Sequence, residues 1–320
     1  MLLAFNLMNF LNSLPDAISQ GVLWGIMALG VYITFRVLDI ADLTVDGSFS
    51  LGSCVCATLI VAGVNPILAI LISIITGALA GFVTGLLHTV FEIPAILAGI
   101  LTQIALYSIN MRIMGRSNTP LLNVDRIYDY FGFLGLNSAM TSLVVGVLVA
   151  IIIIIVLYWF FGTEIGCAIR ATGSNERMVR SLGANTNRTK IFGLMLSNAL
   201  VALSGAMVAQ SQGFGDVGSG TGAIVIGLAS IVIGEVIFGK RFSFAYRLMS
   251  IVIGSMIYRI VIALVLQLGF NSSDLKLFSA IIVALALAIP TLLGKYKQKR
   301  AYISAEQFHA DFLNKNKEEA

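Results

Sequence analysis

VVGVLVAIIIIIVLYWFF, residues 144–161, is followed almost at once by TEIGCAIRATGSNERMVRSLGANTNRTK, residues 163–190. The first stretch carries no charge and is long enough, at about 1.5 Å per residue, to cross most of a hydrocarbon core about 30 Å thick. The second is basic, polar and punctuated by glycine, and IFGLMLSNALVALSGAMVA follows it at 191–209. A chain that passes from hydrocarbon to a short polar interruption and back again is an all-α, polytopic transmembrane helical bundle.

Composition agrees with this class. The 320 residues are 58% hydrophobic and 11% charged, with a mean hydropathy of +0.94, whereas soluble domains carry about 25% charged residues. Alternating strands of about 10 residues, the mark of a transmembrane barrel, are not seen. The net charge of +4 gives no reason to expect nucleic acid, because the basic residues fall in loops between apolar runs. The start, MLLAFNLMNFLNSLPDAIS, lacks the basic n-region of a cleavable signal peptide, and residues 1–15 read as an amphipathic interfacial segment. Cys54, Cys56 and Cys167 read as small buried residues, since their spacing offers no second ligand pair. His88 and His309 stand far apart and suggest no metal site. No catalytic constellation is visible, so the chain does not read as an enzyme. The run from Gly234 to Arg241 fits the first part of a P-loop, but it lacks the final Ser or Thr and the preceding strand that such a loop needs.

Hydropathy places about nine spans, near 18–36, 48–64, 66–90, 94–111, 141–162, 190–211, 222–239, 246–268 and 276–294. Pro66 and Pro94 sit at span starts, where a missing amide hydrogen costs least. These spans form one transmembrane domain over 16–295, followed by a tail at 296–320. Placing the basic C-terminal tail in the cytoplasm puts the 163–190 and 240–247 loops there too. Fifteen of the 20 Lys and Arg residues then lie inside and four outside, with Arg259 within a span. That asymmetry satisfies the positive-inside rule.

DLTVDGSFSLGS at 42–53 and GDVGSGTGAIVIGLAS at 215–230 share a grammar: a polar Gly, Ser and Asp turn running straight into an apolar span. They precede the second and seventh spans, and an odd separation puts them on opposite faces, as in an inverted repeat with broken helices. The first turn supplies Asp42, Thr44, Asp46, Gly47 and Ser48. Asp39, Asp42 and Asp46 are spaced so that a helix would place them on one face. They read as solvated carboxylates, with Asp46 or Ser48 suited to cap the next helix.

Polar groups inside spans are costly and mark cavities or interhelical bonds. Gln103 and Asn110 share one face of the fourth span, and Asn198, Gln210, Gln212 and Asp216 lie in or just beyond the sixth. These six are the candidate solute pathway. Arg259 is the one charge near mid-span, and its partner is left open.

Within 163–190, Ser174 suits an N-cap, Glu176 the first helical turn and Gly183 the C′ position. The spacing predicts a helix of about eight residues, roughly 12 Å long. Met178, Val179 and Leu182 fall on one face beside Arg177 and Arg180, an apolar knob with a basic rim that fits a groove on a soluble partner. A helix lying on anionic lipid is the other reading of the same pattern.

The stretches at 21–53, 93–122 and 170–207, and above all ADLTVDGSF and MGRSN, resemble the branched-chain amino acid permease family of ABC importers. The likeness runs from about residue 15 to 295. It is greatest to the subgroup paired with substrate-binding lipoproteins and associated with aromatic amino acids. The resemblance implies that residues 174–183 form a coupling helix docking on a cytoplasmic ABC ATPase. ATP and magnesium would be bound by that partner and no cofactor by this chain. It also implies an extracellular substrate-binding lipoprotein, to which the 112–140 loop with Arg112, Arg116, Arg126 and Tyr128 would be offered. A second copy of the chain would complete the pathway across a bacterial-type plasma membrane. An ion-coupled secondary transporter using Asp39, Asp42 and Asp46 is the alternative.

Overall fold

The computed structural model describes residues 7–135, 137–239 and 243–267, with isolated positions between 277 and 288. Ten α-helices follow one another in these residues: α1 Leu7–Tyr32, α2 Thr44–Val61, α3 Pro66–Thr89, α4 Ala95–Met114, α5 Ser138–Phe160, α6 Glu164–Ser174, α7 Glu176–Ser181, α8 Thr186–Gln212, α9 Ala223–Phe238 and α10 Phe244–Gln267. A π-helical turn, Ile33–Val37, continues α1. Among the described residues one sheet forms, a two-stranded ribbon of β1 Asn118–Pro120 against β2 Phe214–Asp216, antiparallel with Asn118 opposite Asp216.

Among the described residues seven helices are long and apolar enough to cross a membrane, and α9 is a shorter eighth apolar helix. These correspond to the first eight expected spans; the ninth, 276–294, falls largely outside the described residues. Residues 7–15 run unbroken into the first span through Pro15. Local chemistry sets several ends. Pro66 occupies the first turn of α3 while the Asn65 side chain accepts from the Ile67 N–H. Gly115 and Gly213 close α4 and α8 in the left-handed conformation.

Helix α8 is the central post, packed on α1, α2 and α3. Lipid supplies no hydrophobic drive between helices, so close backbone approach and interhelical hydrogen bonds hold the bundle. A Cβ on Gly52 would fall 2.0 Å from the Ala202 carbonyl oxygen, and one on Gly205 2.1 Å from that of Phe49. Ser197 and Ser204 of α8 donate to the carbonyls of Gly30 and Leu23 in α1, at 2.8 and 2.7 Å. By contrast α5 exposes Ile151, Ile152, Ile155 and Val156, a hydrocarbon face suited to acyl chains.

The two Gly/Ser/Asp turns are not held apart on opposite faces. After β2 the chain runs beside α2, with Gly215 against Ser53 and Ala57 and Gly220 against Asp46 and Ser50. That descent covers about 10 Å along the α2 axis. Helices α2 and α9 therefore start side by side inside the bundle and leave in opposite senses. Non-helical backbone is tolerated at this depth because protein surrounds it.

Candidate functional site

Two helix N-termini, each with unpaired amides and a partial positive charge, meet here and need acceptors. Asp42 serves the first: its Oδ1 accepts from the Thr44 N–H at 2.9 Å at the start of α2. Its Oδ2 accepts from Asn198 Nδ2 at 2.8 Å, and Ser48 Oγ donates to Asn198 Oδ1 at 2.7 Å. Asp46 serves the second from the adjoining start of α2. Its Oδ2 accepts from the Gly222 N–H and its Oδ1 from the Ile224 N–H, both at 2.9 Å, at the start of α9. Ser50 Oγ accepts from the Gly220 N–H at 2.9 Å.

This corrects the reading of three solvated carboxylates. Asp39 is exposed, Asp42 is buried at 2% and Asp46 is half-buried. Asp46 and Ser48 do not cap their own helix, because α2 begins earlier, at Thr44. Thr44 turns its hydroxyl to Thr84 at 2.7 Å, and Thr84 donates to Thr102 at 3.0 Å, tying α2 to α3 and α4.

Beside the crossing lies a cavity of about 360 Å³, lined by Asp46, Gly47 and Ser50 of α2, Gln103, Tyr107 and Asn110 of α4, and Thr221 before α9. Gln103 and Asn110 of the expected pathway lie on its wall, and the other four do not. Asn198 is fully buried in the Asp42 network. Gln210 is fully buried, its Oε1 accepting from the Ile127 N–H at 2.8 Å and its Nε2 donating to Cys56 Sγ at 3.2 Å. Gln212 lines a separate hollow beside Arg126, and Asp216 belongs to β2. Mid-helix amides carry no sequence mark that separates a cavity wall from an interhelical bond.

The 112–140 loop is fastened from below. Tyr128 is buried, and its hydroxyl donates to the Met207 carbonyl at 3.0 Å. This corrects its reading as a docking surface: it anchors the loop. Arg126 pairs with Asp129, whose Oδ2 also accepts the Arg126 backbone N–H at 2.8 Å. Arg112, Arg116, Leu122 and Tyr130 are exposed.

In the basic interruption two helices form rather than one. Ser174 ends α6, and the cap of α7 is Asn175, whose Oδ1 accepts from the Met178 N–H at 3.1 Å. The cap is displaced by one residue because Ser174 stays in the hydrogen-bonded α6 ladder. Gly183 takes the left-handed conformation after the helix, with φ of 86°. Of the expected apolar face, Val179 turns inward at 4% exposure, while Met178 and Leu182 stand out at 49% and 76%. Arg177 is exposed beside them. Glu176 locks the base of α7 onto α8. Its Oε2 accepts from Lys190 Nζ at 2.8 Å, and its Oε1 from Arg180 at 2.9 Å and from Thr186 Oγ1 at 3.1 Å. The Lys190 hydrogen bond, aided by its charge and that of Arg180, holds the Glu176 carboxyl below its ordinary value.

Other charges resolve simply. Glu235 pairs with Arg36 at the end of α1 and not with Arg259. The Arg259 guanidinium lies over the Trp24 indole, 4.2 Å from the ring centroid, and its Nε has no partner among the described residues. Cys54 and Cys56 are buried, but Cys167 is exposed on α6, against expectation.

Comparison with known proteins follows the same line. The sequence profile described as the permease component of branched-chain amino acid transport systems matches residues 13–290. A tyrosine transport system permease protein of Clostridioides difficile is 40% identical over 291 residues, 91% of this chain and 96% of that protein. An uncharacterised protein of Rickettsia prowazekii is 32% identical over 281 residues, 87% of this chain and 98% of that one. Among solved structures, the complex named PsaBC from Streptococcus pneumoniae with a Fab matches at a TM-score of 0.50 and 15% identity. It covers 88% of this chain and 95% of that chain, and it supports the fold alone.

Proposed function

The chain belongs to the family of permease components of branched-chain amino acid transport systems and is a membrane-spanning permease subunit of an ABC transporter; from this premise we propose that it imports a small amino-acid-like solute and receives its driving force through α7. The observation that carries the reading is the state of α7. Met178, Leu182 and Arg177 project from the bundle, while Val179 is buried and the Glu176–Lys190 pair fixes the helix base to α8. An exposed apolar pair on a clamped base can transmit a push, which a loosely tethered helix could not. The pusher is a cytoplasmic ATPase that holds ATP and magnesium.

The cavity bears on the number of copies. It opens along the α4 flank, where Tyr107 and Ser108 are exposed beside Gln103. Acyl chains cannot pair such groups, so a second copy related by a two-fold axis is the natural cover. An external binding protein would deliver solute onto the loop that exposes Arg112, Arg116 and Tyr130. The membrane is the bacterial plasma membrane. The ion-coupled alternative loses its motive, because Asp39, Asp42 and Asp46 point to three different places and among the described residues no acidic cluster forms.

The test is the double substitution Arg177→Asp with Leu182→Asp. The permease is expected to insert and purify normally but to lose its ATPase on co-purification. Unchanged association would refute the docking role of α7.

A further inference from the structure

The wall of the cavity beside the helix crossing carries acidic charge and no basic side chain. Among the residues on its wall Asp46 is the one Asp or Glu, and none is Arg, Lys or His. Both Asp46 oxygens accept backbone N–H bonds, the pattern of an ionised, acceptor-only carboxylate. The α9 N-terminus offsets only about half an elementary charge, so the wall stays net negative. Asp46 lines the cavity, and each of its oxygens has lone-pair capacity beyond its cap bond.

A second group points the same way. Asn110 is buried at 1% and lines the cavity. Its Nδ2 donates to the Gly47 carbonyl at 3.4 Å, leaving Oδ1 with no partner among the described residues. A buried acceptor without a donor is destabilising, and such groups are rare enough to require an explanation. A donor entering the cavity would satisfy it once the Asn110 amide turns its oxygen toward the opening.

We infer that this cavity binds the ammonium group of a primary-amine solute, with Asp46 and Asn110 Oδ1 as its acceptors. This rests on the permease reading above and deepens it: the permease, and not only a delivering protein, inspects the amine end of the cargo. The volume of about 360 Å³ is that of a small-molecule pocket and is far larger than a single bare ion needs. Ile104 and Tyr107 on the same wall leave an apolar side for the remainder of the solute.

The experiment uses the full-length chain in lipid nanodiscs, with empty nanodiscs subtracted. Two probes of matched shape and opposite charge, phenethylamine and 3-phenylpropionate, are compared by equilibrium dialysis at constant ionic strength. Saturable binding of the amine, at least about tenfold tighter than the acid, is expected; Asn110→Leu should weaken the amine about tenfold, the scale of one lost hydrogen bond to a charged group. Equal binding of amine and acid overturns the inference, and so does displacement of the amine by sodium but not by choline. Undiminished amine binding in a correctly folded Asn110→Leu variant overturns it as well. The wild-type comparison stands even if that variant does not fold. ATPase co-purification on the same preparations separates the outcomes, because lost charge selectivity with docking intact refutes this inference alone.

Discussion

Asp46 is the residue through which two distant parts of the chain support one another, and its removal has a calculable cost. Asp46→Ala deprives the Gly222 and Ile224 amides of their acceptors at the start of α9. Each buried donor left unpaired costs about 1–3 kcal/mol, so the substitution should cost about 2–6 kcal/mol, a large part of a typical total of about 5–15 kcal/mol. Asp46→Asn keeps one carbonyl oxygen and loses one acceptor and the charge, so about half that loss is expected. Asp39→Asn is the control. Asp39 is exposed with φ of 55°, a conformation that Asn tolerates, and a change within about 0.5 kcal/mol is expected there. Equilibrium unfolding by SDS in mixed micelles, followed by far-ultraviolet circular dichroism, ranks the three. If Asp46→Ala proved as stable as Asp39→Asn, the assignment of Asp46 as the cap of α9 would be wrong.

Two further outcomes follow from the loop between α5 and α8. The Glu176 carboxyl is held low by Lys190, so the clamp contributes in full above the ordinary glutamate range and is lost as pH falls through the lowered value. The stability gap between the wild type and Glu176→Gln should therefore be open at neutral pH and close in acid; a gap that widened in acid would contradict the pairing. Cys167 is exposed on α6 while Cys54 and Cys56 are buried. A membrane-impermeant maleimide should label one cysteine, and only in inside-out vesicles; labelling of right-side-out vesicles would reverse the assigned orientation.

What the sequence disclosed and what it withheld divide on physical grounds. Span positions were legible because burial in lipid is a property of each segment by itself, and Pro66 and Gly183 mark their ends through local backbone chemistry. Asp46 was legible as a cap but not as the cap of α9, since its partner amide lies 176 residues along the chain and carries no side-chain signal. The same reason hid Gln210, which bonds a backbone amide in the 112–140 loop. Within 163–190 the turn residues predicted one helix, and two formed because Ser174 and Asn175 both suit a cap; the α6 ladder decided between them. The outward turn of Leu182 and inward turn of Val179 depend on how α7 is anchored to α8, which the Glu176–Lys190 spacing suggests only after α8 is known to begin at Thr186. Cys167 was misjudged because its helix is amphipathic and lies at the edge of the bundle, where an apolar neighbourhood in sequence is not burial in space.

On the proposed reading, a push on α7 would have a material route toward the crossing. α6 lies between α7 and the π-turn that ends α1, and Gly173 is its closest approach. A Cβ there would fall 1.9 Å from the Val37 carbonyl oxygen and 2.8 Å from the Leu38 Cα, backbone atoms that cannot rotate aside. Leu38 in turn rests on Gly193 of α8, and four residues further on Asp42 caps α2. Gly173→Val must therefore displace α6 from α1 while leaving the outward face of α7 untouched. The expected phenotype is a split: ATPase co-purification and basal ATP hydrolysis persist, and solute transported per ATP falls at least about tenfold, the effect of an element misplaced by about 1 Å. Gly132→Ala, where an added Cβ meets nothing within 4 Å, should change neither quantity. Wild-type transport by the Gly173→Val complex would show that force reaches the crossing by some other contact, since no conformation of this backbone accommodates the valine unmoved.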